Sequence, residues 1–332
     1  MATTTQITIR DTGGTDVLEY EDVDMPQPGK GEIRVAVEAI GVGFGEVLYR
    51  EGRYVQETKL PSLLGNNAVG TVDALGEGVD TVSVGDRIAI IPSFQMNEYG
   101  VYAKHAIVPA YSAAPYFDEL SLEENASIWI QAITPYGALV MQGGLTEDDF
   151  VFLMPASGSV GQAAIELVKA MGATSITTTR TQEKVAMLKE VGADHVIVTE
   201  DEDLVGRVDE ITDGKGARLI FMALTGDIME TLVNDIVSES GTIFMYGGIG
   251  AHDTPLPYPK LISRWVTIKG YTLYEITYHP ENLDALRDYV VDGVKKGTIT
   301  ANVDRTFRFE EMADAHAYLE GGSTKGSVIA LV

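Results

Sequence analysis

The stretch Val151-Phe152-Leu153-Met154-Pro155-Ala156-Ser157-Gly158-Ser159-Val160-Gly161, continuing to Ala173, constrains this chain more than any other. Four apolar residues, a turn of small residues and an amphipathic run read as strand, tight turn and helix. The alternation then repeats. After the strand at 151–154, strands are predicted at 175–179, 195–198, 219–222 and 242–246, with helices at 161–171, 182–191, 204–212 and 227–237. Such a series builds a parallel sheet covered on both faces. A helical pattern over 123–140 leads into it.

The first third has a different texture. Glu32-Ile33-Arg34-Val35-Ala36-Val37-Glu38-Ala39-Ile40 and Ala68-Val69-Gly70-Thr71-Val72-Asp73-Ala74-Leu75 alternate like half-buried strands, with turns at Pro26-Gln27-Pro28-Gly29 and Val84-Gly85-Asp86-Arg87. Strand texture returns from Val303 and ends in Ser327-Val328-Ile329-Ala330-Leu331-Val332, a strand able to complete the first domain. At 332 residues the chain is long for one core. The expected plan is a nucleotide-type domain inserted into a β-rich one.

The turn Ala156-Ser157-Gly158-Ser159-Val160-Gly161 is G-x-G-x-x-G with alanine in first place. Gly158 lets the backbone approach a pyrophosphate, and Gly161 lets helix and strand pack closely. The helix that follows turns free N–H groups and its positive dipole end toward the anion. Ile165, Val168 and Met171 share a face, and Gly172 fits a C-terminal cap. Dinucleotide binding is therefore expected. An NAD site would carry an acidic residue at the end of the next strand. Here that place reads Thr177-Thr178-Thr179-Arg180-Thr181-Gln182-Glu183-Lys184. Arg180 can fork onto a 2′-phosphate and Lys184 can add a point charge, so NADPH is expected over NADH. Thr179 and Thr199 supply hydroxyls to the same binding set.

Composition narrows the partners. Asp and Glu number 49 against 24 Lys and Arg, a formal net charge of −25. Such a surface repels phosphate backbones, so no nucleic-acid partner is expected. With no cysteine, there are no disulfides, thiolate chemistry or Cys-ligated zinc. The start, Met1-Ala2-Thr3-Thr4-Thr5, lacks the features of a secretion signal, and no apolar run reaches the length of a membrane span. A cytoplasmic location without membrane association is the expectation.

Several stretches together resemble the medium-chain dehydrogenase/reductase superfamily, and within it the zinc-free, zeta-crystallin-like quinone oxidoreductase branch. They are Glu38-Ala39-Ile40-Gly41-Val42-Gly43-Phe44-Gly45-Glu46, Gly52-Arg53-Tyr54, Gly65-Asn66-Asn67-Ala68-Val69-Gly70, Val84-Gly85-Asp86-Arg87-Ile88, Thr134-Pro135-Tyr136-Gly137-Ala138-Leu139 and the turn at 156–161. The resemblance implies a Rossmann-type, doubly wound parallel sheet at 123–270, inserted in a GroES-like catalytic domain at 1–122 plus 271–332. Zinc-dependent relatives carry Cys at the position of Gly43 and Gly-His-Glu at that of Gly65-Asn66-Asn67. The five histidines, at 105, 195, 252, 279 and 316, show no paired ligand spacing, so no metal is expected.

Quinone oxidoreductases usually have Asn at the position of Gly43, and its absence leaves the substrate less defined than the cofactor. The resemblance places Tyr54 as the catalytic candidate, with Gly43, Phe44, Tyr49 and Asn66 around the substrate and Trp129 among the aromatics of the cleft. It places Thr134 near the nicotinamide, Tyr246 and Gly247 against the cofactor, and Lys325 near the 2′-phosphate. The activity implied is zinc-independent hydride transfer from NADPH to a quinone or an α,β-unsaturated carbonyl. Metal-free carbonyl reduction, and a structural or sensing role for NADPH binding, are the alternatives. A homodimer is also implied, with Lys269-Gly270-Tyr271-Thr272-Leu273-Tyr274 as its edge.

Overall fold

The structure is a computed structural model that describes residues 2–250 and 253–332; His252 lies outside the described residues. The chain forms two compact units. One comprises Met1–Ile130, Ile276–Asp292 and Ala301–Val332, and the other Gln131–Glu275 and Gly293–Thr300.

The first unit is β-rich. Its main sheet runs in the order Val303–Arg308, Ser327–Leu331, Glu32–Val42, Ala68–Leu75, Arg87–Ile90 and Ala113–Pro115, with His105–Pro109 also paired to Glu32–Val42. The last strand of the chain pairs antiparallel with Glu32–Val42, Val328 opposite Val42 and Leu331 opposite Ala39. Alternation explains the inward face: Ile33, Val35 and Val37 are buried, as is Val72 opposite Val35. Thr3–Thr8 and Glu19–Asp24 form a separate antiparallel pair.

The second unit is a six-stranded sheet in which every neighbouring pair is parallel. Its order is His195–Val198, Thr174–Thr179, Phe150–Met154, Ala217–Thr225, Val237–Gly250 and Thr267–Gly270. Numbered within the unit, that is 3-2-1-4-5-6, the doubly wound order whose reversal point lies beside the first strand. Phe150–Met154 is therefore the strand where a ligand crevice opens. Its apolar run, Val151 to Leu153, is buried as a strand covered on both faces requires.

Two expected elements are redrawn. Met171 does not join the buried face of its helix. It is the C-cap residue of Ser159–Ala170 and more than a third exposed, while Leu167 is buried with Ile165 and Val168. The expected edge at 269–274 is shorter: the strand stops at Gly270, and Tyr274 opens the helix Tyr274–Thr277. Tyr271 and Leu273 leave the sheet edge for the core, Tyr271 packing edge-on against Phe244. Among the described residues no helix is long and apolar enough to cross a membrane.

Candidate active site

The glycine-bearing turn of the second unit leaves Phe150–Met154 and enters the helix Ser159–Ala170. Its two glycines are there for different reasons. A Cβ on Gly161 would lie 2.5 Å from the Pro155 carbonyl oxygen and 2.6 Å from the Ala156 Cα, so only glycine lets this helix sit on its strand. A Cβ on Gly158 would meet nothing within 4 Å. Gly158 is the helix N-cap at φ −80°, a conformation any residue can adopt, so neither crowding nor backbone angle demands glycine there. What remains is open space over the free N–H groups of the helix start, the approach a pyrophosphate uses. Ala156 is buried beneath the turn; Ser157, Ser159 and Val160 are half-exposed on it. Gln162 Nε2 donates to the Ser157 carbonyl at 2.8 Å, bracing the turn from below.

The neighbouring strand brings cations to the same edge. Lys184 Nζ donates to Ser157 Oγ at 3.1 Å, so the ammonium stands against the turn itself. Arg180 is exposed one residue past the end of Thr174–Thr179. Thr199 closes the same corner: its N–H donates to the Thr179 carbonyl at 2.9 Å. The acidic run that follows is structural, because Asp203 is the N-cap of Leu204–Thr212 and Glu202 accepts from the Val198 N–H at 2.8 Å. Further along the sheet, Tyr246 stacks on Phe221 with ring centroids 3.9 Å apart, and burial pushes its phenol pKa up. A Cβ on Gly247 would lie 2.8 Å from the Ala223 Cβ, so this glycine packs strand against strand. Thr134 is buried near the end of the helix Leu122–Pro135.

The first unit holds the other group of expected residues. Gly43 caps the short helix Phe44–Arg50, with Gly43 and Phe44 half-exposed. Tyr54 is half-buried, and its ring meets that of Tyr49 edge-on at 6.3 Å. Asn66 is buried. Two residues expected at the cleft belong to the core instead. Tyr49 is 0% exposed, with its hydroxyl 2.7 Å from Ser62 Oγ. Trp129 is also wholly buried, stacked near Phe117 with its indole N–H donating to the Pro115 carbonyl at 3.1 Å. Both polar atoms are satisfied inside, which removes the reason for either ring to face a ligand. Lys325 lies exposed in the first unit, its backbone N–H donating to Asp304 Oδ2 at 2.9 Å.

Sequence reasoning passed over Glu46. Its side chain is 3% exposed and folds back so that Oε2 accepts from the Gly43 N–H at 3.1 Å. Burial pushes the carboxyl pKa up to about 7, and bonds from the backbone N–H groups of Glu46 itself, Gly43 and Asn66 oppose the rise. The spacing of an acid three residues after a small N-cap was the available signal.

Two families match the two halves of this architecture. Residues 29–118 match the alcohol dehydrogenase GroES-like domain, and residues 159–288 match the zinc-binding dehydrogenase family. The quinone oxidoreductase of Pseudomonas aeruginosa is 29% identical over 96% of this chain and 97% of its own length. The chain belongs to the medium-chain dehydrogenase/reductase superfamily. Within that superfamily it falls in the quinone oxidoreductase branch and is an oxidoreductase of a kind that binds nicotinamide cofactors. A 2-haloacrylate reductase from Burkholderia is 26% identical over 97% of both chains. The crystal structure of Escherichia coli quinone oxidoreductase complexed with NADPH superposes with a TM-score of 0.89 at 28% identity, covering 99% of this chain and all of that one.

One matched family is described by zinc, and the residues here do not fit that ion. Gly43 has no donor, and the Asn67 amide is committed to the Ala126 carbonyl at 2.8 Å. Among the described residues no three His, Cys, Asp or Glu side chains gather as a ligand set. The nicotinamide cofactor fits better: the open Gly158, the packed Gly161 and the Lys184 ammonium make a cradle for phosphate.

Proposed function

We propose that this protein is an NADPH-dependent reductase that delivers hydride to a quinone or an α,β-unsaturated carbonyl without a metal. The observation that carries the cofactor choice is Lys184 against Ser157, with Arg180 just past the strand and no carboxylate at that strand's end. The amides at the start of Ser159–Ala170 hold the pyrophosphate, while Arg180, Lys184, Thr179 and Thr199 hold the 2′-phosphate end. Thr134, Tyr246 and Gly247 flank the nicotinamide.

Bound NADPH supplies the hydride. An acceptor already polarised by conjugation needs no Lewis acid, only orientation and exclusion of water. Gly43, Phe44 and Asn66 shape its pocket, and the Tyr54 phenol donates a hydrogen bond to the acceptor oxygen as negative charge develops there. The relatives named for quinone and for haloacrylate reduction both act on conjugated acceptors, which supports this class.

The test is steady-state oxidation of NADPH and of NADH by chelator-treated protein, with para-benzoquinone and with a cyclic enone. Turnover that survives chelation and prefers NADPH is the expected result. Tight NADPH binding with no turnover on either acceptor would move the function to carbonyl reduction or to a binding role.

We also propose a homodimer joined through the edge strand Thr267–Gly270. Leu256, Tyr258, Ile262 and Trp265, just before it in the chain, are each 55–67% exposed, more apolar surface than an isolated subunit usually leaves wet. Sedimentation that shows only monomer at working concentration would refute it.

A further inference from the structure

The wall around Gly43 contains two positions without side chains, and each gap is bounded by a polar group. A Cβ on Gly45 would lie 3.4–3.6 Å from the edge and hydroxyl of the Tyr54 ring. A Cβ on Gly43 would lie 2.9 Å from Glu46 Oε2. The Gly43 backbone, at φ −115° and ψ 167°, is extended and open to any residue. What crowds position 43 is therefore one group, the tip of the Glu46 side chain, which would have to shift to admit a Cβ there. That carboxyl is an expensive filler. It is almost wholly buried, and Arg50, one turn on along the same helix, is itself wholly buried and directs Nη2 to Glu320. A helix start can be capped from the surface at no such cost.

We propose that Glu46 is a positioning residue that determines acceptor specificity: its carboxyl occupies the side-chain volume of position 43, keeps that wall bare backbone, and so sets the width of the acceptor pocket. This rests on Gly43 lining that pocket, as read above. The bare wall admits a flat, wide acceptor that a side chain at 43 would turn away. Near neutral pH the carboxyl is poised between its neutral and charged forms. The titratable and charged groups that face this corner are Arg50 on the same helix, Tyr102, and His316, whose Nε2 lies 3.1 Å from the Tyr102 hydroxyl and whose pKa is lowered to about 3 by burial and Arg50.

The experiment uses Gly43→Asn, Glu46→Gln, Glu46→Ala and the pair Gly43→Asn with Glu46→Ala in the full chain. KM and kcat are measured for para-benzoquinone and for a naphthoquinone across the neutral pH range, and thermal unfolding is measured alongside. Gly43→Asn should raise the naphthoquinone KM about tenfold relative to that of para-benzoquinone. Removing the Glu46 side chain in that background should restore thermal stability while the discrimination stays. Glu46→Gln should keep wild-type discrimination but flatten the rise in naphthoquinone KM that ionisation of the carboxyl produces above neutrality. Equal KM ratios in wild type and Gly43→Asn would overturn the proposal, as would a double variant whose gain over Gly43→Asn is no larger than the gain of Glu46→Ala over wild type. If wild type oxidises NADPH with neither quinone, the functional reading fails by itself, and the unfolding cycle still decides whether Glu46 fills the space of position 43.

Discussion

The turn at 156–161 and the segment at 43–54 both carry glycines at the proposed ligand sites, and they differ in what the glycines answer to. In the turn, Gly161 answers to the protein's own backbone and Gly158 to open space. In the segment, Gly43 answers to one flexible side chain, Glu46, and Gly45 to the ring of Tyr54. In the function proposed above, the first arrangement recognises an invariant chemical group, a pyrophosphate, with main-chain amides, and the second shapes room for a variable acceptor with side chains that can be exchanged. On that proposal cofactor binding is built into the fold of this chain, and acceptor choice into a few residues laid over it.

Substitution at the turn should break that contrast most visibly. Gly161→Ala forces a Cβ into contact with main-chain atoms that cannot step aside, and should cost about 3 kcal/mol in chemical denaturation. Gly158→Ala should stay within about 0.5 kcal/mol of wild type. It should still weaken cofactor binding by about tenfold in titration calorimetry. Equal stability losses at both positions would mean that Gly158 is also a packing glycine.

Glu46 should give the next largest effect, and its sign follows from the raised pKa. Below the ordinary carboxylate value of 4.5 the group is protonated in folded and unfolded chains alike. Between 4.5 and about 7 the unfolded chain gives up its proton while the folded chain keeps it, so stability falls as pH rises. Above that window the whole cost is present, up to about 3 kcal/mol. Glu46→Gln should therefore gain little over wild type in acid and most in mild alkali, read as the difference in unfolding midpoint. A gain that does not grow with pH would place the titration elsewhere.

At the proposed 2′-phosphate end, two cations differ in what else they touch. Arg180→Ala should lose roughly 1–3 kcal/mol of NADPH affinity and leave NADH unchanged. Lys184→Ala should lose a similar amount for NADPH and also weaken NADH slightly, because Lys184 braces Ser157 in the turn both cofactors share. Fluorescence titration with each cofactor reads both. Unchanged NADPH affinity in Arg180→Ala removes it from the phosphate site.

The same contrast governs what the sequence revealed. Strand and helix alternation, the turn and its two glycine roles were legible because they depend on spacing and on backbone chemistry. The bounds of His195–Val198 and Leu204–Thr212 were readable to the residue, where apolar runs meet a cap such as Asp203. The substrate side was not. Tyr49 and Trp129 read as cleft aromatics, yet each has a buried partner, Ser62 or Pro115, far from it in sequence or set by packing. Glu46 was read only as part of the family stretch at 38–46, and the folded-back side chain reveals its burial.

Tyr54 gives the smallest expected effect and the finest test. Its ring packs edge-on against Tyr49, so the ring alone maintains the wall. Tyr54→Phe keeps that ring and removes only the hydroxyl. If the phenol donates to the acceptor oxygen in the transition state, kcat/KM should fall about tenfold, the worth of one neutral hydrogen bond. The fall should lie mostly in kcat, because charge on that oxygen develops only as hydride arrives. A change confined to KM would make Tyr54 a binding contact, and no change would make it a wall like the backbone at Gly43. In either of those cases the acceptor side would work by shape alone, and directed polar contacts would be confined to the cofactor side.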